Sequence, residues 1–251
     1  GIPRMLFTIF GPDGAGKTTQ IKQLLKAYQT EGFSTASVND VMPTFDYQVG
    51  SDLDKYYQYF KNFDVIHTRF RLHSHESAQI MNILEVIPAG TDLKLAALSA
   101  YVAYYAYVQW SKYVLNPLLA DGKLLLCDKY YYDDVATKAA FGCPYEWLKS
   151  LHYDTPKPDA SLYLKVDGKT LIMRNSHRGD GRIVHYQSPV GVDRLLYYYE
   201  QIVMDEHLTT IDANMSRDAI TESIITVLEK KQLSPQKYKN RFSMQENRTT
   251  C

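Results

Sequence analysis

Gly11-Pro12-Asp13-Gly14-Ala15-Gly16-Lys17-Thr18 is a complete G-x-x-x-x-G-K-[ST] sequence, set between the apolar run Met5-Leu6-Phe7-Thr8-Ile9-Phe10 and a segment of helical period. Strand, loop and helix in that order give the motif its physical meaning. Glycines let backbone N–H groups turn inward around phosphate oxygens, and the helix starting near Lys17 presents the positive end of its dipole to them. Lys17 then reaches β- and γ-phosphates, and Thr18 is placed to ligate Mg²⁺. The expected ligand is a nucleoside triphosphate, held by Gly11, Gly14, Ala15, Gly16, Lys17, Thr18 and Thr19.

Composition narrows the class further. The chain has 251 residues, 45% of them hydrophobic, which suits one α/β domain with a sizeable core. Its 28 basic and 28 acidic residues balance, so no global field favours nucleic acid or an anionic membrane, and a small molecule is the expected partner. Cys127, Cys143 and Cys251 lack metal-ligand spacing and are odd in number, as expected for reduced thiols in a cytoplasmic protein. A core strand begins almost at the first residue, which argues against a signal peptide. The most apolar stretch, 95–108, is too short and too rich in Tyr and Ser for a membrane span and reads as a buried helix.

Along the chain, strand-like and helix-like segments alternate as in a parallel sheet covered by helices on both faces. Ile21, Leu24, Leu25 and Tyr28 fall at i, i+3, i+4 and i+7 of a helix ended by Gly32. Strands are expected at 5–10, 34–38, 124–127, 161–166 and 208–212, five in all. A long helix is expected over 92–120. The Tyr-, His- and Asp-rich region 43–91 shows no clean period, and helices separated by loops are expected there. The domain is read as 1–232, with a polar tail, 233–251, that lacks an apolar face and is expected to be poorly ordered.

Asp128 follows an apolar strand, where an acidic residue can orient Mg²⁺ beside a triphosphate, and Lys129 next to it offers a cation to a phosphate. The segment Arg174-Asn175-Ser176-His177-Arg178-Gly179-Asp180-Gly181-Arg182 is basic and glycine-containing and reads as part of a lid over about 174–186. Arg174 is expected on the triphosphate, and Arg178 and Arg182 on the transferring phosphoryl group. A solvated loop is the alternative reading of the same segment. His67, His73 and His75 match no metal-site spacing.

These anchors together resemble the thymidylate kinase family. Phe10 to Thr19 looks like that family's phosphate loop including its Asp, Cys127-Asp128-Lys129-Tyr130 is similar to its Asp-Arg-Tyr/Phe motif, and Asn116 to Gly122 resembles the helix end before it. Pro158 to Asp167 resembles the family's Pro-Asp strand, and Ile211-Asp212-Ala213 its final strand with the adenine-side turn at Ala213. Gly14 combined with lid arginines looks like the bacterial type. The resemblance covers most of 4–230. It implies a P-loop NTPase fold with a five-stranded parallel sheet, use of ATP and Mg²⁺, and phosphoryl transfer to a nucleoside monophosphate. Lys17, Asp13, Asp128, Arg178 and Arg182 would be the catalytic set, Thr18 and Asp128 the metal residues, and Asp13 a contact to an acceptor hydroxyl. No nucleic-acid or membrane partner is implied, and a homodimer is left open.

Departures fall on the acceptor side. The family's acceptor-gripping Arg on the long helix corresponds to Tyr107, its Asp-Arg-Tyr arginine to Lys129, and its Ser-Ser-x-Ala-Tyr-Gln to Asp133-Asp134-Val135-Ala136-Thr137-Lys138. Asp133 and Asp134 near an acceptor would repel a phosphate and suit a cationic small molecule. Arg69 and Arg71 would restore phosphate contacts from another position. Tyr104, with Tyr101 and Tyr105, is a candidate to line the acceptor pocket. Two alternatives therefore stay open beside the nucleotide kinase: a kinase of a non-nucleotide acceptor, and a nucleotide-binding switch that transfers nothing.

Overall fold

β1, Leu6–Phe10, is buried along its whole length and lies inside the sheet, paired in parallel with β4, Leu124–Asp128, and β5, Ala160–Lys165. Such uninterrupted apolar runs are what a strand covered on both faces requires. In this computed structural model, residues 5–41, 52–85, 93–176 and 189–249 are described. β2, Thr35–Ser37, and β3, Val65–Arg69, extend the sheet on one side and β6, Thr209–Asp212, on the other. The order is β2-β3-β4-β1-β5-β6 and every pairing is parallel.

The sheet has six strands rather than the expected five. The addition is β3, inside the region expected to hold helices and loops. Val65, Ile66, His67 and Thr68 are all buried, so the strand has no polar-out alternation, and His67, Thr68 and Arg69 make its composition look like loop. α3, Leu53–Phe60, and α4, His75–Glu85, flank it in the same region.

α1, Lys17–Thr30, buries Ile21, Leu24, Leu25 and Tyr28, the face expected from their spacing. The long helix is present as α5, Leu93–Trp110, a π-helical turn at Ser111–Leu115, and α6, Asn116–Ala120. Short helices α2, Val38–Val41, and α8, Tyr145–Ser150, fill connections. α7, Tyr131–Ala140, packs against α10, Pro189–Asp205, while α1 packs against α11, Arg217–Lys230, where Gln20 Nε2 donates to the Arg217 carbonyl at 3.1 Å.

The expectation of a poorly ordered tail is corrected by α12, Pro235–Thr249. Leu233 and Tyr238 are buried, the Tyr28 hydroxyl donates to the Leu233 carbonyl, and the Tyr238 ring lies 4.8 Å from that of Phe33. Two well-spaced anchors dock a segment too polar to show a helical stripe. Among the described residues, no helix is long and apolar enough to cross a membrane.

Candidate active site

The chain leaves β1 into the phosphate loop and leaves β4 at Asp128, so both meet at the carboxyl ends of adjacent parallel strands, where open α/β sheets bind ligands. There the loop, Asp128, Lys129, Arg174 and Ala213 line a cleft of about 650 Å³, together with Gln20, Met215, Arg217 and Ile220. Gly11 has φ +145°, and a Cβ there would stand 2.9 Å from the Leu164 carbonyl oxygen of β5. Gly14 has φ +86°, and its Cβ would stand 3.0 Å from Asn175 Nδ2. Both positions require glycine, one for close approach to the sheet and the other for close approach to α9, Gly168–Asn175.

α1 begins without a side-chain cap, carries no acidic residue in its first turn, and leaves Thr18 and Thr19 exposed to the cleft. Its free N–H groups and dipole make an anion site. The Lys17 ammonium is buried beneath them, 2.7 Å from the Gly11 carbonyl oxygen and 2.9 Å from that of Pro12. Burial lowers its pKa, helped by Lys129 and opposed by Asp128, Asp13 and Asp133. Asp13 is paired with Lys129 at 3.1 Å. Lys129 has φ +64°, a conformation uncommon for a side chain with Cβ, and here it turns the ammonium back over the loop. Asp128 Oδ1 is buried without a hydrogen-bond partner, an orphan acceptor of the kind a bound cation or its water satisfies.

α9 is fastened to the loop from the far side. Arg174 donates to the Gly14 carbonyl at 2.6 Å, and Asn175 Nδ2 donates to the Asp13 carbonyl at 2.8 Å. Arg178 and Arg182 lie outside the described residues, as does most of the expected lid. Asn175 was not foreseen, since its role depends on the approach of two backbones. The same holds for Met215 and Ile220, which sit beside Ala213 on an apolar wall of the cleft.

Apart from Asp13 and Lys129, the acceptor-side candidates stand outside the lining of that cleft. Asp133 is 5% exposed and accepts from the Gly11 N–H at 3.1 Å, the Tyr199 hydroxyl at 2.7 Å and the Tyr130 N–H at 3.1 Å. It ties the loop to α7. Burial raises its pKa, against Lys129, Lys17 and those hydrogen bonds. Asp134 forms an ion pair with Arg71, with Lys138 Nζ at 3.8 Å; burial would push its carboxyl up, but Arg71 and Lys138 hold it down at about 2. Arg69 donates to Asn39 Oδ1 at 2.6 Å. Tyr107 is buried against Phe70, with ring centroids 5.5 Å apart. The Tyr104 hydroxyl points toward Asp154 at 3.5 Å, and Tyr101 and Tyr105 are exposed. None of these side chains lines the cleft. Among the described residues, no cluster of three or more His, Cys, Asp or Glu is arranged to hold a metal.

A family model described as thymidylate kinase matches residues 78–224. The chain belongs to the thymidylate kinase family. The matched span starts well after the phosphate loop, so the loop motif and the family match are separate observations that β1–β4 pairing unites in one cleft. The chain is similar to the thymidylate kinase of Dictyostelium discoideum, at 24% identity over 232 residues, 91% of this chain and 86% of that protein. It is similar to a probable thymidylate kinase of Pyrococcus abyssi at 25% identity, covering 87% of this chain and 92% of that one. A probable thymidylate kinase of Staphylothermus marinus is 29% identical over 108 residues, 43% of this chain and 54% of that protein. As a thymidylate kinase family member, the chain is a phosphotransferase.

Proposed function

We propose that the cleft binds ATP with Mg²⁺ and that the chain transfers the γ-phosphoryl group to a nucleoside monophosphate. The observation that carries this reading is the uncapped start of α1 set over the buried Lys17 ammonium and beside the orphaned Asp128 carboxylate oxygen. Lys17 leaves its loop carbonyls to follow the β- and γ-phosphates, which the first-turn N–H groups hold in place. Thr18 and Asp128 would hold Mg²⁺, which when bound neutralises charge on the phosphate oxygens. Lys129, released from Asp13, offers its ammonium to the acceptor phosphate, and the Asp13 carboxylate takes an acceptor hydroxyl. Ala213, Met215 and Ile220 provide the apolar wall for the adenine, and Arg178 and Arg182 stabilise charge on the transferring group. Cys127 and Cys143, buried and not disulfide-bonded, suit a reducing cytoplasmic setting.

An acceptor panel of nucleoside monophosphates, nucleosides and cationic metabolites, read by ADP release and by product analysis, tests the reading. ADP release matched by nucleoside diphosphate is expected. Tight ATP binding with no nucleoside monophosphate phosphorylated would overturn it.

A further inference from the structure

His67 lies in β3, in register with Ser37 of β2, and its side chain is 2% exposed. Its Nδ1 stands 2.8 Å from Ser37 Oγ, and that oxygen in turn accepts the Asn39 N–H at 3.1 Å. Its Nε2 faces Asp128 Oδ2 at 3.9 Å. Nε2 is buried and has no hydrogen-bond partner, as does Asp128 Oδ1. The other charged groups acting on this ring are Arg69 and Asp40.

The arrangement selects one tautomer. Were the ring proton on Nδ1, Nε2 would turn a lone pair toward a carboxylate in a buried setting, which is electrostatically unfavourable. With the ring proton on Nε2, facing Asp128, Nδ1 is an acceptor, and the Ser37 hydroxyl donates to it while its oxygen accepts the Asn39 N–H. A shift of about 1 Å would bring Nε2 and Asp128 Oδ2, 3.9 Å apart, to hydrogen-bond distance.

We propose that His67 is a positioning residue for Asp128: it is held as the Nε2–H tautomer, with Ser37 donating to Nδ1, and that N–H orients the carboxylate. The consequence for metal binding rests on the function proposed above, whereas the tautomer and the orientation of the carboxylate do not. A partner that donates a hydrogen bond to a ligating carboxylate commonly changes metal affinity by about 10–100-fold when removed.

The test uses the full chain and four variants, His67→Ala, His67→Gln, Ser37→Ala and Asp128→Asn. Imidazole ¹⁵N spectra of the wild type, assigned by the His67 variants, should show a protonated Nε2 and a bare Nδ1, and Ser37→Ala should disturb that balance. In the presence of ATP, His67→Ala should weaken Mn²⁺ binding, read by electron paramagnetic resonance, by about tenfold or more. Metal-free ATP affinity should change less than about twofold, since the phosphate loop is not touched. His67→Gln, which places an amide donor near the Nε2 position, should recover most of the loss. A protonated Nδ1 in the wild type, or unchanged Mn²⁺ affinity in a folded His67→Ala chain, would overturn the proposal. If His67→Ala does not fold, the wild-type spectrum and the Gln variant decide: Mn²⁺ affinity close to wild type supports the proposal, and loss equal to that of Asp128→Asn refutes it. Failure of the kinase reading shows itself separately, as absence of ADP release from the wild type with the tautomer intact.

Discussion

Asp134→Asn isolates the ion pair that the sequence left ambiguous. In the folded chain Arg71 is 9% exposed, its Nε is buried without a partner, and its guanidinium binds the Asp134 carboxylate. A carboxyl held at about 2 against an ordinary 3.8 corresponds to about 2 kcal/mol of stability at neutral pH. Breaking one side of a buried pair commonly costs about 3–5 kcal/mol, and Asn moderates this because its amide oxygen still accepts a hydrogen bond. A loss of about 2–3 kcal/mol is therefore expected for the variant at pH 7. The sign with pH follows from the depressed pKa. The stabilisation is fully present above the unfolded value and is lost as pH falls toward the folded one, so the gap between wild type and variant should narrow between about pH 4 and pH 2. Urea unfolding at a series of pH values measures it, and adding Arg71→Leu to the variant should recover part of the loss by removing the unpaired cation. A gap under about 0.5 kcal/mol at pH 7, or one that stays constant into acid, would refute the reasoning.

Replacing Lys17 by Ala should lower turnover by about two orders of magnitude or more with the fold retained by circular dichroism, and near-normal turnover would remove the phosphate loop from the mechanism. Neutralising Arg178 or Arg182 should lower kcat more than it weakens ATP binding, as steady-state and equilibrium measurements on each variant would show; equal losses would reduce them to donor contacts. Tyr238→Ala should cost about 2–4 kcal/mol in urea unfolding, because it opens a cavity beside Tyr28 and Phe33 where α12 docks; a change under about 0.5 kcal/mol would mean the helix contributes no stability there.

The strand, loop and helix that open the chain were legible because their information is local. Eight consecutive residues set the loop, the apolar run before it is the strand that carries it, and the spacing of Ile21, Leu24, Leu25 and Tyr28 is the face by which α1 packs. The place of Asp128 at the end of an apolar strand was legible for the same reason. β3 was not, since a strand buried on both faces has no alternation to read and this one carries a histidine, a threonine and an arginine. Nor was the difference between Asp133 and Asp134, neighbours of one residue type. α7 turns the first onto the Gly11 N–H and the second onto Arg71, from elements 122 and 63 residues away in the chain. Sequence alone determined that this chain builds a phosphate-binding loop on a parallel sheet, because backbone conformation and hydrophobic period are short-range properties. Only the tertiary structure decided which charges face the cleft and which hold the fold together, because the energy of a carboxylate depends on its burial and its partners, and those partners come from distant parts of the chain.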